Sequence, residues 1–143
     1  MHKQAVLPKG GHWHLIGHLQ TNKAKHAVEH FDLIESVDSL KLLGHLEKAA
    51  AELDKVQDVL LQINEAGEVQ KSGFAPADFR AAVPELSQYP HIRVRGVMVI
   101  AQATDNVEET RPVFAAGYRD FLFLRDALHS DAVDILSMGM THD

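Results

Sequence analysis

A chain of 143 residues is long enough for one domain with a hydrophobic core, and 45% hydrophobic with 24% charged residues is the balance of an ordinary globular protein. With 20 acidic residues against 14 Lys and Arg, the formal net charge is -6, which argues against nucleic acid or an anionic membrane surface as the main partner while leaving room for one local phosphate pocket. There is no cysteine, so a disulfide scaffold, a thiolate zinc site and a cysteine nucleophile are excluded.

In chain order, residues 1–8 read as the tail of a preceding helix. Lys3, Pro8 and Lys9 interrupt any apolar stretch there, so this is not a secretory signal. No apolar run approaches membrane-spanning length, and the cytoplasm is the expected location. Short Ile, Leu and Val-rich runs follow at 12–16, 33–37, 59–63, 94–100 and 133–136. They are apolar without clean alternation, as strands are when both faces of a parallel sheet are buried.

Helical periodicity fills the intervals. Ala24, Ala27, Val28 and Phe31 form one stripe. Leu40, Leu43, Leu46, Ala50 and Leu53 form a second, with Asp38 and Ser39 as candidate N-caps. Residues 76–86 make a third helix that Pro84 ends or bends. Residues 106–128 make the longest, with Val113, Phe114, Gly117, Phe121, Leu124 and Leu128 on one side. Strand and helix alternate four times and close on a fifth strand, which implies parallel strands with right-handed crossovers. The expected fold is α/β, a partial (β/α)8 TIM barrel of five parallel strands with helices on one side. Residues 1–143 form a single incomplete domain, with both ends unfinished.

In such a fold the loops that follow the strands carry the ligand chemistry. The densest is the segment from His12 to Lys23, where Gly17 permits close backbone approach and His18, Gln20 and Asn22 can donate hydrogen bonds. From these residues alone, a plain turn and helix cap is the preferred explanation. His12, His14 and His18 lack a carboxylate or thiolate at ligand spacing, so a metal site is not assigned there. His26-Ala27-Val28-Glu29-His30 has the H-x-x-E-H pattern of inverted zinc proteases, but its histidines fall opposite the apolar stripe, on the solvated face. Gly67 to Gly73 is glycine-rich, yet Lys71 precedes Ser72 and Gly73, so it is no phosphate P-loop. Asn64 and Glu65 lie at the end of their strand, on the ligand side. Ser137, Met138, Gly139, Met140 and Thr141 offer hydroxyls and backbone amides suited to a phosphate, or form a loop with two gap-filling methionines.

Six segments in order carry a resemblance: residues 14–23, 36–39, 61–64, 71–73, 95–98 and 136–140. Together they resemble the pyridoxal phosphate homeostasis proteins, which have an alanine-racemase-like barrel and no second domain. The resemblance spans nearly the whole chain from His12. It implies a protein that binds pyridoxal 5′-phosphate (PLP) as a Schiff base on a lysine and buffers or delivers it without substrate turnover.

By that resemblance the five strands are the family's third to seventh. The lysine belongs to a first strand, and an Arg-x-Gly-Thr segment to an eighth, that this sequence lacks. Thr21 and Thr141 stand where the family usually has serine. The implied cofactor-binding residues are Ser137, Met138, Gly139, Met140, Thr141, His18 and Asn64, with no catalytic or metal-binding residue. Lys23 and Lys71 are on ligand-side loops without the desolvation that Schiff-base chemistry requires. PLP-dependent apoenzymes are the implied partners, nucleic acid and membrane are not, and exposed sheet edges favour self-association. Two other readings stay open. One is a PLP-dependent racemase- or decarboxylase-like enzyme of the same barrel. The other, if the gene encodes only these residues, is an interaction scaffold without cofactor.

Overall fold

A computed structural model of the chain describes residues 5–9, 12–16, 19–65, 73–102, 110–129 and 132–141. Its strands are β1 (Ala5–Lys9), β2 (His12–Ile16), β3 (Leu33–Val37), β4 (Gln57–Ile63), β5 (Ile92–Gln102) and β6 (Ile135–Thr141). Its helices are α1 (Ala24–His30), α2 (Leu40–Glu52), α3 (Pro76–Ala82) and α4 (Arg111–Leu128). The strands form one six-stranded sheet in sequential order, β1-β2-β3-β4-β5-β6. From β2 to β6 every pairing is parallel.

The difference from expectation lies at β1, so that the described sheet has six strands where five were expected. Residues 5–9 are not the tail of a helix; they pair antiparallel with β2, Lys9 opposite His12 and Ala5 opposite Ile16. The signal was present in the sequence, where two glycines at 10 and 11 stand between apolar runs. Pro8 is compatible because β1 is an edge strand, where a missing N–H costs little.

The helices begin and end for local reasons. Ser39 is the N-cap of α2, its hydroxyl accepting from the Leu42 N–H at 3.1 Å. Pro76 opens α3 and Pro112 lies in the first turn of α4, where their missing N–H has no helical partner to lose. At Val83 the third helix tightens into a 3-10 turn that contains Pro84. His129, at φ 48°, terminates α4 in a left-handed conformation.

All four helices cover one face of the sheet. Val28, Leu43, Leu46, Phe79, Phe121 and Leu124 from the helices pack with Ile34, Val59, Leu61, Ile63, Val97 and Val99 from the strands. The buried stripe of α2 is rotated from the sequence reading: Leu42 and Ala49 are in it, and Leu53 is exposed. Alternate strand residues point to the other face, where Leu33, Leu60 and Met98 form a second cluster with Ile100 and Ile135. At Gly117 a Cβ would lie 2.8 Å from Val99 Cγ2, so α4 rests directly on β5 at that point.

Candidate functional site

Strand register defines a polar rim. Gln62 on β4 pairs with Met98 on β5, which pairs with Ser137 on β6. One residue further on, Ile63, Val99 and Met138 are level. Asn64 therefore stands beside Ile100 and Gly139, at the carboxyl ends of the strands, where α/β folds place ligands.

Beneath this rim, Ser137 Oγ donates to Glu35 Oε1 at 2.9 Å. Glu35 is on β3 and only 3% exposed. Three strand spacings separate β3 from β6, about 14 Å along a flat sheet. Serine and glutamate side chains cannot span that distance, so the sheet curves strongly and the bond runs across its concave face. With its proton committed to Glu35, the Ser137 hydroxyl offers lone pairs to a ligand at the rim.

The chain returns to the rim at Phe74. The Asn64 N–H donates to the Phe74 carbonyl and the Phe74 N–H to the Gln62 carbonyl, both at 2.8 Å. Gly73 makes this return possible: at φ +128°, its Cβ would lie 2.8 Å from the Asn64 nitrogen. The glycine of Lys71-Ser72-Gly73 thus has a backbone explanation. Gly17, His18 and residues 66–72, with Lys71 among them, lie outside the described residues.

Thr21 begins a short 3-10 turn and Lys23 is exposed. His26 and His30 are exposed on the outer side of α1, the face the periodicity gave them, and His30 Nδ1 lies 2.9 Å from the His26 carbonyl oxygen.

Three acidic or polar residues were missed in the sequence. Glu35 and Gln62 are buried polar residues inside strands read as apolar. Asp120 is 1% exposed on α4, and its pKa is raised to about 8 by burial first and then by the hydrogen bond and charge of Glu65. Arg80 and Arg119 oppose that rise. A signal for Asp120 existed, since it lies three residues after Gly117 and four before Leu124 on the buried stripe.

The rim suits a phosphate-bearing group. Backbone N–H groups at the carboxyl end of β6, within Gly139 to Thr141, are the kind of donors that bind phosphate oxygens. Asn64 stands level with them across β5.

A parallel sheet with helices on one face, a curved opposite face and a polar rim at its carboxyl ends is the framework of a ligand-binding α/β domain. The chain belongs to the alanine racemase N-terminal domain family, whose pattern it matches over residues 4–143. It is 37% identical over 131 residues to the pyridoxal phosphate homeostasis protein of Pasteurella multocida, covering 92% of this chain and 56% of that protein. The chain thus spans little more than half the length of that relative.

Among solved structures it is similar to PipY of Synechococcus elongatus without PLP, at 36% identity and a TM-score of 0.77. The match covers 89% of this chain and 66% of PipY. PipY with PLP bound matches over the same shares, at 34% identity and a TM-score of 0.74.

Proposed function

We propose that this chain is the middle part of a PLP homeostasis protein, a carrier that binds the cofactor and buffers or delivers it without turning over a substrate. The observation that carries this reading is the similarity to PLP-bound PipY across 89% of the chain, with the polar rim of β4 and β6 inside the matched fold. In this reading the sheet is a partial (β/α)8 barrel, and β2 to β6 are the third to seventh strands of the complete form. In it, backbone amides within Gly139, Met140 and Thr141 meet the phosphate, with Ser137 below them and Asn64 beside them; His18, assigned by the resemblance, lies outside the described residues. Met138 lies between Ser137 and Gly139 on the same strand. PLP-dependent apoenzymes are the proposed recipients, and the cytoplasm the proposed location. Among the described residues no helix is long and apolar enough to cross a membrane.

The lysine that would hold the cofactor covalently is assigned to a segment outside this sequence. What this chain supplies is a small set of hydrogen bonds, each worth about 1 kcal/mol net. The expected affinity of residues 1–143 alone is therefore about millimolar. PLP titration followed by absorbance, with borohydride trapping and peptide mapping, tests this on the present chain and on a longer chain extended to the length of its relatives. The longer chain should trap the cofactor and the present chain should not. An adduct on Lys23 or Lys71 would show that the covalent site is misplaced; a longer chain without cofactor absorbance would overturn the PLP reading.

A further inference from the structure

On the reading of the rim as a phosphate site, we propose that Glu35 is a positioning residue that withholds the Ser137 proton from the ligand. A phosphate at the rim then meets backbone donors without help from the serine hydroxyl, and is held loosely. The strand register stacks the concave face in layers. Leu60 and Ile135, both level with Gly96, form an apolar layer. Two residues further on, Gln62, Met98 and Ser137 form the next, and on β3 Glu35 follows Leu33 by the same two-residue step. Three polar side chains therefore stand between the apolar layer and the rim, joined in part by the 2.9 Å bond from Ser137 to Glu35.

The serine hydroxyl has one proton, and two acceptors would compete for it. Glu35 is only 3% exposed, so a donor lost there is not replaced by water, and a buried carboxyl left short of a partner is costly. A phosphate stands at the open end of the strands, where water and the N–H groups within Gly139 to Thr141 can serve it. The competition therefore favours Glu35, and Ser137 turns only lone pairs toward the ligand. A fully ionised phosphate has no proton to offer those lone pairs. Glu35 thus sets the affinity of the rim through Ser137, without touching the ligand.

Removing the acceptor should free the donor. Glu35→Leu leaves the hydroxyl able to turn to the phosphate, and should tighten the binding of pyridoxine 5′-phosphate about tenfold. This probe carries the phosphate without the aldehyde that reacts with lysines, and the backbone amide shifts of Gly139 to Thr141 follow its titration on the present chain. The gain should vanish for pyridoxine, which has no phosphate, and in a Ser137→Ala background, which has no hydroxyl to free. Should Glu35→Leu fail to fold, Glu35→Met removes the same acceptor with a more adaptable side chain and carries the same expectation.

A second readout needs no ligand. The Ser137 hydroxyl proton, held by a buried carboxyl, should exchange slowly with water in the wild type and fast in Glu35→Leu, as its magnetic resonance signal reports. Equal affinity in the wild type and Glu35→Leu, a gain that persists in the Ser137→Ala background, or a hydroxyl proton that exchanges equally fast in both proteins would each overturn the role of Glu35 alone. Pyridoxine 5′-phosphate bound no better than pyridoxine by either protein would overturn the phosphate reading of the rim, and the role of Glu35 with it.

Discussion

Ser137 on β6 donates to Glu35 on β3 at 2.9 Å, across two intervening strands. The bond ties β3 to the last strand of the curved parallel sheet inside its concave face. It is also the link between the rim and the buried layer of Leu33, Leu60 and Met98. Ser137→Ala removes the donor and leaves the buried Glu35 carboxyl short of one partner, at a cost of about 1–3 kcal/mol. Adding Glu35→Leu should recover part of the loss, because two apolar groups leave nothing unsatisfied. Chemical denaturation of both variants checks this; a double variant less stable than the sum of its singles would contradict it.

At Gly96 the β4–β5 register shifts, with Val94 opposite Val59 and Gly96 opposite Leu60. Gly96 has φ +155°, and a Cβ there would lie 1.7 Å from the Ile135 carbonyl oxygen. Backbone must move to admit any side chain. Gly96→Ala should destabilise by about 3 kcal/mol or more, or prevent folding. A thermal midpoint within a few degrees of the wild type would refute the close approach of β5 and β6.

The opposite rim is held by charge. Arg95 bonds Asp58 at 3.0 Å, Asp134 at 2.8 Å and the Ala132 carbonyl at 2.9 Å. Arg93 bonds only Asp58, at 2.7 Å, among the described residues, and its side chain is 54% exposed against 24% for Arg95. Arg93→Met should therefore cost at most about 1 kcal/mol. Arg95→Met should cost about 2 kcal/mol, since it also strips a partly buried contact to backbone. Urea midpoints compared at low and high salt separate the two, with Arg93→Met the more salt-sensitive.

Ser39 accepts from the Leu42 N–H and opens α2. Ser39→Ala should cost about 1 kcal/mol, and Ser39→Asp should keep the cap. Helicity by circular dichroism and the unfolding midpoint give the answer; a Ser39→Asp variant as unstable as Ser39→Ala would show that the cap is not what starts this helix.

The alternation of strands and helices was legible because local pattern dictates it. A run such as 59–63 is apolar at every position but Gln62 since one face meets helices and the other meets the curved interior. Ser39, Pro76 and Pro112 likewise act within one turn of chain, where sequence and structure are the same information. The pairing of β1 also has a local signal, two adjacent glycines between the strands, although residues 1–8 read in sequence as the tail of a helix.

Only the tertiary structure decided what meets at a distance. Glu35 and Ser137 are 102 residues apart, and no periodicity brings a glutamate on β3 to a serine on β6; the curvature of the whole sheet does. Asp120 reads in sequence as a charge on a helix, and becomes a buried group with a raised pKa once α4 settles on β5. Local preferences select each element, whereas desolvation and cross-strand contacts depend on which surfaces those elements bury together.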